Sequence, residues 1–298
     1  MKQLLVVFSI LGTILLVGCR TAQVPSPDVQ NIPQPKQTLA QKKASLKGKT
    51  QAASAVPEAL GGLVKSDEWV IYKDKQQEEF KGHVSYDNGI YVFKSGYALS
   101  DRAQNTITAS QNVYLKQQNP QGPTYQIQCD WGRYNYKTGK GTLKSTSKNP
   151  VRLNMQDATQ TVTARAKQIT FNTTTQIFIL TGDVHATRTT PEGTQTMQAD
   201  KATVKQLEDF VHLEGNAVLS DGEHTLQADT VIYDGAKNEA RAFGARPLAT
   251  GTTEQGTFAI IADSVSSDAQ GTVVHLDGRV QGWLVSPEIN NNKINKQF

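Results

Sequence analysis

The residues of this sequence that could do chemistry recur at fixed intervals instead of gathering at one place. Asp200, Asp229 and Asp263 each stand 15 residues before a glycine. Paired carboxylates serve glycosidases as acid and base, but such a pair is unique within an enzyme, whereas these aspartates repeat. We therefore expect their carboxylates to accept backbone N–H bonds at irregularities in strands, and we predict that the protein is not an enzyme.

The five histidines suggest no metal centre. His212 and His275 occupy equivalent positions, each three residues before a glycine. A row of metal sites would require a carboxylate or cysteine that recurs at ligand spacing, and none does. No glycine-rich stretch has the Lys-Ser/Thr context of a phosphate-binding loop. We predict that His212 and His275 are exposed on strand faces, and we predict no metal and no cofactor.

The aspartates belong to an internal repeat. The position that they occupy is filled by Lys167 in an earlier copy, and the glycine follows 15 residues later in all four copies, whereas the step from copy to copy varies as 33, 29 and 34 residues. Units of fixed length are thus joined by variable loops. Weaker copies lie upstream, including one with Asp130 in the aspartate position and Ser147 near the glycine position. The chain is predicted to contain about seven units and about fourteen short strands.

The strands of each unit alternate apolar and polar residues. This period of two is typical of half-buried strands, and no long helical period interrupts it, so we predict an all-β fold. In the third unit the apolar residues shift phase between Ala228 and Val231, which predicts a β-bulge near Ala228–Asp229.

The N-terminus has the features of a secretory signal. The segment 4–18 is apolar but too short to cross a membrane comfortably. The residues Leu16-Val17-Gly18-Cys19 resemble the bacterial lipobox, which implies a lipoprotein signal peptide over 1–18 and lipidation of Cys19. An uncleaved membrane anchor is the alternative. With Cys19 acylated, Cys129 has no disulfide partner and is expected to be a small buried side chain.

The composition separates a tether from the folded part. Residues 19–64 are rich in proline, glutamine and lysine and contain no aromatic residue, so we predict a flexible linker there, a β-domain over 65–285, and a disordered tail over 286–298. A net charge of +4 in a chain of 298 residues is too small to indicate nucleic-acid binding.

The recurring pattern, Ala-Asp followed by Leu-x-Gly-Asn/Asp/Arg-Val/Ala, resembles the OstA-like family. It recurs over Ala164–Leu284 and is plausible from Phe80. That family comprises the periplasmic lipopolysaccharide-transport proteins LptA and LptC and the N-terminal domain of LptD. The resemblance implies a twisted, slightly open β-jelly roll that holds lipid A acyl chains inside and joins related subunits edge to edge by strand addition. The chain departs from that family in its expected lipid anchor and in its long linker.

The resemblance also assigns roles and a location. The residues expected to line the lipid-binding interior are Phe178, Leu180, Val184, Val211, Leu213, Leu219, Val231, Tyr233, Val274, Leu276 and Val280. The expected partners are lipopolysaccharide, related Lpt-type subunits and a membrane reached through the lipid on Cys19. The protein is placed in the periplasm, and the absence of Asp after Cys19 favours the outer membrane. A structural β-repeat lipoprotein that scaffolds the envelope, with these residues as ordinary core, remains the alternative.

Overall fold

The computed structural model describes residues 62–285, with gaps at 119–121, 146–147, 192, 238, 254–255 and 269–272. The predicted signal peptide, Cys19, nearly all of the linker and the tail lie outside the described residues. The first strand begins at Leu63, two residues before the predicted start of the folded domain at 65. Within the described residues no helix has the length and apolarity needed to cross a membrane.

The described chain is almost entirely β-structure, which confirms the predicted all-β fold. The strands, all paired antiparallel in one sheet, are β1 Leu63–Lys65, β2 Glu68–Tyr72, β3 Gln77–Asp87, β4 Tyr91–Asp101, β5 Thr106–Gln117, β6 Thr124–Asn135, β7 Lys140–Lys144, β8 Val151–Gln156, β9 Thr161–Ala166, β10 Gln168–Asn172, β11 Ile177–Thr190, β12 Gly193–Lys205, β13 Phe210–Ser220, β14 His224–Asp234, β15 Glu239–Phe243, β16 Leu248–Thr253, β17 Gly256–Ile261, β18 Ser264–Asp268, β19 Val274–Asp277 and β20 Gln281–Val285. A short 3-10 helix, Gln206–Glu208, connects β12 to β13.

The sheet is folded into two layers, because the chain bends between two straight segments in every unit. The first layer is a meander of segments 68–72, 77–81, 97–101, 106–110, 131–135, 140–144, 168–172, 177–181, 201–205, 210–214, 230–234, 239–243, 264–268 and 274–277. The second layer is a meander of segments 63–65, 84–87, 91–95, 113–117, 124–129, 151–156, 161–166, 184–190, 193–199, 217–220, 224–228, 248–253, 256–261 and 281–285.

Every passage between the layers lies on one side, which we call the joined edge, and every hairpin turn lies on the opposite side, the turn edge. No described backbone hydrogen bond of residues 62–285 connects the turns of one layer to those of the other. The layers are therefore connected along one edge only, which gives the two-layered form of the predicted β-jelly roll. The core lies between them: Leu213 and Val231 of the first layer and Leu219 and Leu226 of the second belong to one cluster and are fully buried.

The bends explain the sequence repeat. At Gly182–Asp183 and Gly215–Asn216, two consecutive residues adopt left-handed backbone conformations and the pairing register shifts. The second of these shifts lies opposite Asp229, between the pairs Glu214–Thr230 and Ala217–Ala228, which confirms the bulge predicted near Ala228–Asp229. Because each bend needs a glycine or a strained residue, its position is marked in the sequence.

Candidate functional site

The interior of the roll is lined by an uninterrupted apolar ladder on each layer. Along the first layer the directly paired inner residues are Trp69, Phe80, Ala98, Ala109, Gly132, Leu143, Ile169, Leu180, Ala202, Leu213, Val231, Ala242, Val265 and Leu276. Fourteen successive strand segments thus place no polar side chain at this position. The ladder runs from one end of the described sheet to the other.

The second layer carries a matching ladder on its own inner face. Its members are Val64, Tyr86, Phe93, Leu115, Ile127, Leu153, Ala164, Ala186, Met197, Leu219, Leu226, Ala249, Ile260 and Gly282. The interior is thus apolar on both sides along its whole described length. The upstream half of this ladder was missed by sequence reasoning, although the same alternation of apolar and polar residues runs through it.

Ten of the eleven residues predicted to line the interior do face it. Those that the structure buries completely or nearly so are Leu180, Val184, Val211, Leu213, Leu219, Val231 and Tyr233, and those that are half-buried against the same core are Phe178, Val274 and Leu276. Burial also raises the pKa of the Tyr233 hydroxyl. The structure therefore brings these side chains together in one apolar interior.

Val280 does not lie in the interior, and its predicted placement is corrected. Its side chain is 48% exposed. It follows the left-handed pair Gly278–Arg279 at the last bend, and β19 and β20 are the last strands described, each paired on one side only. Within residues 62–285 no further unit stacks on this end, so no described strand covers the apolar face that the repeat pattern predicts.

The tightness of packing changes along the roll. From Val184 to Val265 the paired inner residues pack closely, and Val211, Leu213, Leu219 and Leu226 have no exposed surface. Upstream the second-layer members Phe93, Leu115, Ile127 and Leu153 are only half-buried. The inner residues next to the joined edge are thus buried in both halves, as at Val113 and Val151, whereas the second-layer ladder is buried only from Ala186 to Ala249.

Both ends of the described sheet expose large apolar side chains. At the first end Trp69 is 52% exposed and Ile71 57%, and at the last end Trp283 is 56% exposed and Leu284 57%. The edge strands of these ends also have unpaired backbone groups along one side. Such an edge can accept a strand from another chain by β-augmentation.

The repeated aspartates hold the bends, although not in the way we predicted. The carboxylates of Asp200 and Asp263 accept hydrogen bonds from side chains instead of backbone N–H groups: Asn216 Nδ2 donates to Asp200 at 2.9 Å, and Arg279 Nε donates to Asp263 at 3.0 Å. The Arg279 guanidinium lowers the pKa of Asp263. The aspartate backbone takes part as a donor, since Asp263 N–H bonds to the Gly278 carbonyl oxygen at 3.0 Å.

A hydrogen bond across the bend, donated by the aspartate backbone, also occurs in the upstream units with other residues. Asp67 N–H donates to the Gly82 carbonyl at 2.9 Å, and Asp130 N–H donates to Ser145 Oγ at 2.8 Å. Ser145, and not Ser147, thus follows Asp130 at the 15-residue spacing, and Ser147 lies outside the described residues. The fixed spacing, which the sequence shows, was the signal that could have found these copies.

The histidine, cysteine and acidic side chains of the described part lie in pairs or alone. No group of three or more His, Cys, Asp or Glu side chains that could hold a metal ion occurs within the described residues. Cys129 is buried, as expected, and burial raises its thiol pKa to about 11, so it is protonated at neutral pH. His185 is paired with Asp183 at 2.9 Å on the outer face.

The arrangement defines a class of protein: a two-layered β-roll built of bent hairpins around a continuous apolar interior. The sequence model of the family described as "LptA/(LptD N-terminal domain) LPS transport protein" matches residues 184–239. These residues cover β12 to β14 with half of β11 and the first residue of β15, and they include the bend at Gly215–Asn216. This segment is therefore similar to the family that the repeat pattern resembles.

Comparison with other proteins adds one distant likeness. No curated protein matches the chain significantly. Among solved structures, the crystal structure of LptH, the LptA homologous periplasmic component of the lipopolysaccharide transport device from Pseudomonas aeruginosa, matches with 12% identity and a TM-score of 0.33. The match covers 41% of this chain and 82% of that one. At this TM-score the likeness assigns no residue of this chain.

Proposed function

We propose that this protein is a periplasmic component of lipopolysaccharide transport, which shields acyl chains between the two layers of the roll. The observation that supports this most directly is the pair of apolar ladders, each of which continues across fourteen strand segments. At about 4.8 Å per strand each ladder is roughly 60 Å long. A uniform apolar path of this length suits an elongated ligand that moves along it better than a compact one.

The energetics favour such a path. Keeping an acyl chain of about twelve carbons in water costs roughly 10 kcal/mol at about 0.8 kcal/mol per CH2. In the proposed mechanism the layers spread apart at the turn edge, where the chain does not connect them, and the acyl chain replaces the contacts between the facing ladders. The half-buried residues Phe93, Leu115, Ile127 and Leu153 are proposed to admit it first.

Two further elements belong to the proposal. The exposed edge strands at the two ends would join related subunits by strand addition, so that the apolar path continues from one subunit to the next. A lipid on Cys19 would hold the protein to a membrane through the linker 19–64, and the outer membrane is favoured because Arg20, not Asp, follows the cysteine. No catalytic step is part of this function.

A scaffold without a ligand is the second candidate. It is favoured by the complete burial of Val211, Leu213, Leu219 and Leu226 in this conformation. In that case both ladders are ordinary core, and the roll serves as a spacer. The two candidates differ in whether lipid ever contacts the inner face.

Photo-crosslinking in cells that make lipopolysaccharide separates these candidates. A small diazirine amino acid would be placed in separate variants at Leu153, Leu213 and Leu276, which face inward, and at Glu214 as the outward-facing control. Glu214 is bonded to Lys201 on the outer face at 2.6 Å. Transport predicts lipopolysaccharide adducts at the three leucines and not at Glu214. No adducts at any leucine, or equal adducts at Glu214, would contradict the proposal.

A further inference from the structure

A polar groove of about 500 Å³ lies on the outer face of the second layer, across β6, β8, β9 and β11. Its lining includes Gln128, Arg152, Arg165 and His185, which are direct neighbours in successive strands. On β8 these outer residues alternate with the buried Val151 and Met155, so the groove faces away from the apolar interior. Leu153 and Ala164 of the inner ladder also line the groove, because they lie between these outer residues in β8 and β9.

Two arginines stand directly opposite each other at the centre of this row. Arg152 pairs with Arg165 in the antiparallel register of β8 and β9, and both side chains are exposed. Like charges opposite each other destabilise a sheet. The ion pairs described for residues 62–285 include none for either arginine. The fold thus keeps two guanidinium groups next to each other with no carboxylate bound between them.

The remaining charges around the groove leave it basic. Lys116 lies opposite Gln126 on the neighbouring row, which adds a third cation. The carboxylate near the groove is Asp183, at the far end beyond Arg165, and its hydrogen bond goes to His185. The centre of the groove therefore presents donors and positive charge.

A second observation points to a missing ligand. Asn154 lines the same groove, and its side-chain oxygen is buried with no hydrogen-bond partner among the described residues. A buried amide oxygen without a partner has lost its hydrogen bonds to water and gained none in return, which destabilises the folded protein. Because the oxygen and nitrogen of an amide can exchange places by a flip, Asn154 can either accept from or donate to a ligand in the groove.

We propose that this groove binds a phosphate group, with Arg152 and Arg165 as the paired contacts and Gln128 and Asn154 as neutral ones. A guanidinium presents planar donors that match two phosphate oxygens, and opposed strand residues lie about 5 Å apart, so one phosphate or diphosphate can contact both. Such a ligand removes the repulsion between the arginines. The source is either a soluble phosphate compound or the phosphorylated headgroup of a glycolipid.

The test titrates inorganic pyrophosphate into the full chain in a non-ionic detergent and follows binding by calorimetry at fixed ionic strength. Arg152→Gln and Arg165→Gln are each expected to weaken binding about tenfold, the loss of one charge-assisted hydrogen bond. The matched control, Arg133→Gln with Lys140→Gln, removes two exposed charges from the first layer and is expected to leave binding unchanged. Undiminished binding in Arg152→Gln/Arg165→Gln, equal loss in the control, or no binding by the native protein would each overturn the proposal.

A stability measurement shows whether the variants are folded. Without phosphate, Arg152→Gln/Arg165→Gln is expected to unfold at the same or a higher urea concentration than the native protein, since it loses only a repulsion. Pyrophosphate should then shift the midpoint of the native protein and not that of the variant. If the ion shifts both midpoints equally, the site is not at these arginines.

A final arm identifies the source of the phosphate. Phosphorylated and enzymatically dephosphorylated lipopolysaccharide would be bound to the native protein and to Arg152→Gln/Arg165→Gln. A headgroup ligand predicts that the substitutions weaken binding of the phosphorylated form only, whereas a soluble ligand predicts that they weaken pyrophosphate binding alone. Crosslinking at Leu213 is expected to be the same in both proteins, so failure of this site leaves the acyl path untouched.

Discussion

Replacing Gly215 by alanine tests how the roll is bent. Gly215 has φ +76°, and an added Cβ would lie 2.9 Å from Asp200 Cβ and closer still to its carboxylate. Rotation of the Asp200 side chain cannot relieve the contact with its Cβ. A left-handed alanine costs about 1 kcal/mol, and loss of the bond from Asn216 to Asp200 costs about 1 kcal/mol more. We therefore expect Gly215→Ala to lower the free energy of unfolding by roughly 2–3 kcal/mol.

The control for this prediction is Gly89→Ala. Gly89 has φ +84°, and an added Cβ there would meet nothing within 4 Å. This substitution adds the backbone strain alone, so its expected cost is about 1 kcal/mol. Urea unfolding followed by circular dichroism gives both values from the midpoint and slope.

A double variant isolates the contact. In Gly215→Ala/Asp200→Gly the Cβ of residue 200 is removed and the crowding is relieved, so the two changes together should cost clearly less than the sum of the single ones. Equal losses for Gly215→Ala and Gly89→Ala, together with additivity in the double variant, would refute the argument that the aspartate requires the glycine.

Three further predictions concern the core, the buried thiol and the free end of the roll. Leu213→Ala, in the fully buried core, should cost about 2–5 kcal/mol in urea unfolding, whereas Leu207→Ala, 68% exposed, should cost under about 0.5. In a Cys19→Ser chain, Cys129 should resist iodoacetamide at pH 8 until urea unfolds the protein. Because the pKa of this thiol rises from 9.0 to about 11 on folding, the free energy of unfolding should fall as the pH rises through that range. A free energy of unfolding that does not change over this range would contradict the prediction. Trp283→Lys should reduce self-association in sedimentation runs without changing the unfolding midpoint, and Leu207→Lys should change neither.

Most of the architecture could be predicted because the positions of its bends and bulges can be read from the sequence. The spacing between Asp200 and Gly215 marks a bend wherever the pair recurs, and the phase change around Asp229 marks a bulge. Alternation tells which side chains share a face, so Leu213 and Leu219 were placed inside correctly. Alternation does not tell which strands are covered, and that is why Val280, at the end of the stack, was placed inside wrongly.

Other features could not be predicted because they depend on pairing across the sheet. The bend splits each unit between two layers, so the described residues form twenty strands instead of about fourteen. The Arg152–Arg165 pair joins residues of β8 and β9 whose opposition is set by the register of that hairpin. Some upstream bends are not marked by a glycine in the sequence, since Gln111 takes the left-handed conformation where other units have glycine.

The bend in each unit also makes the length of the molecule independent of its cross-section. Because each unit closes its own bend and pairs only with the units before and after it, removing residues 200–228 would take out two segments from each layer and bring Asp229 to the place of Asp200. The ladders would remain in register, and the roll would become shorter by about 10 Å. The length of such a chain can be adjusted by whole units, while the two-layered cross-section stays the same.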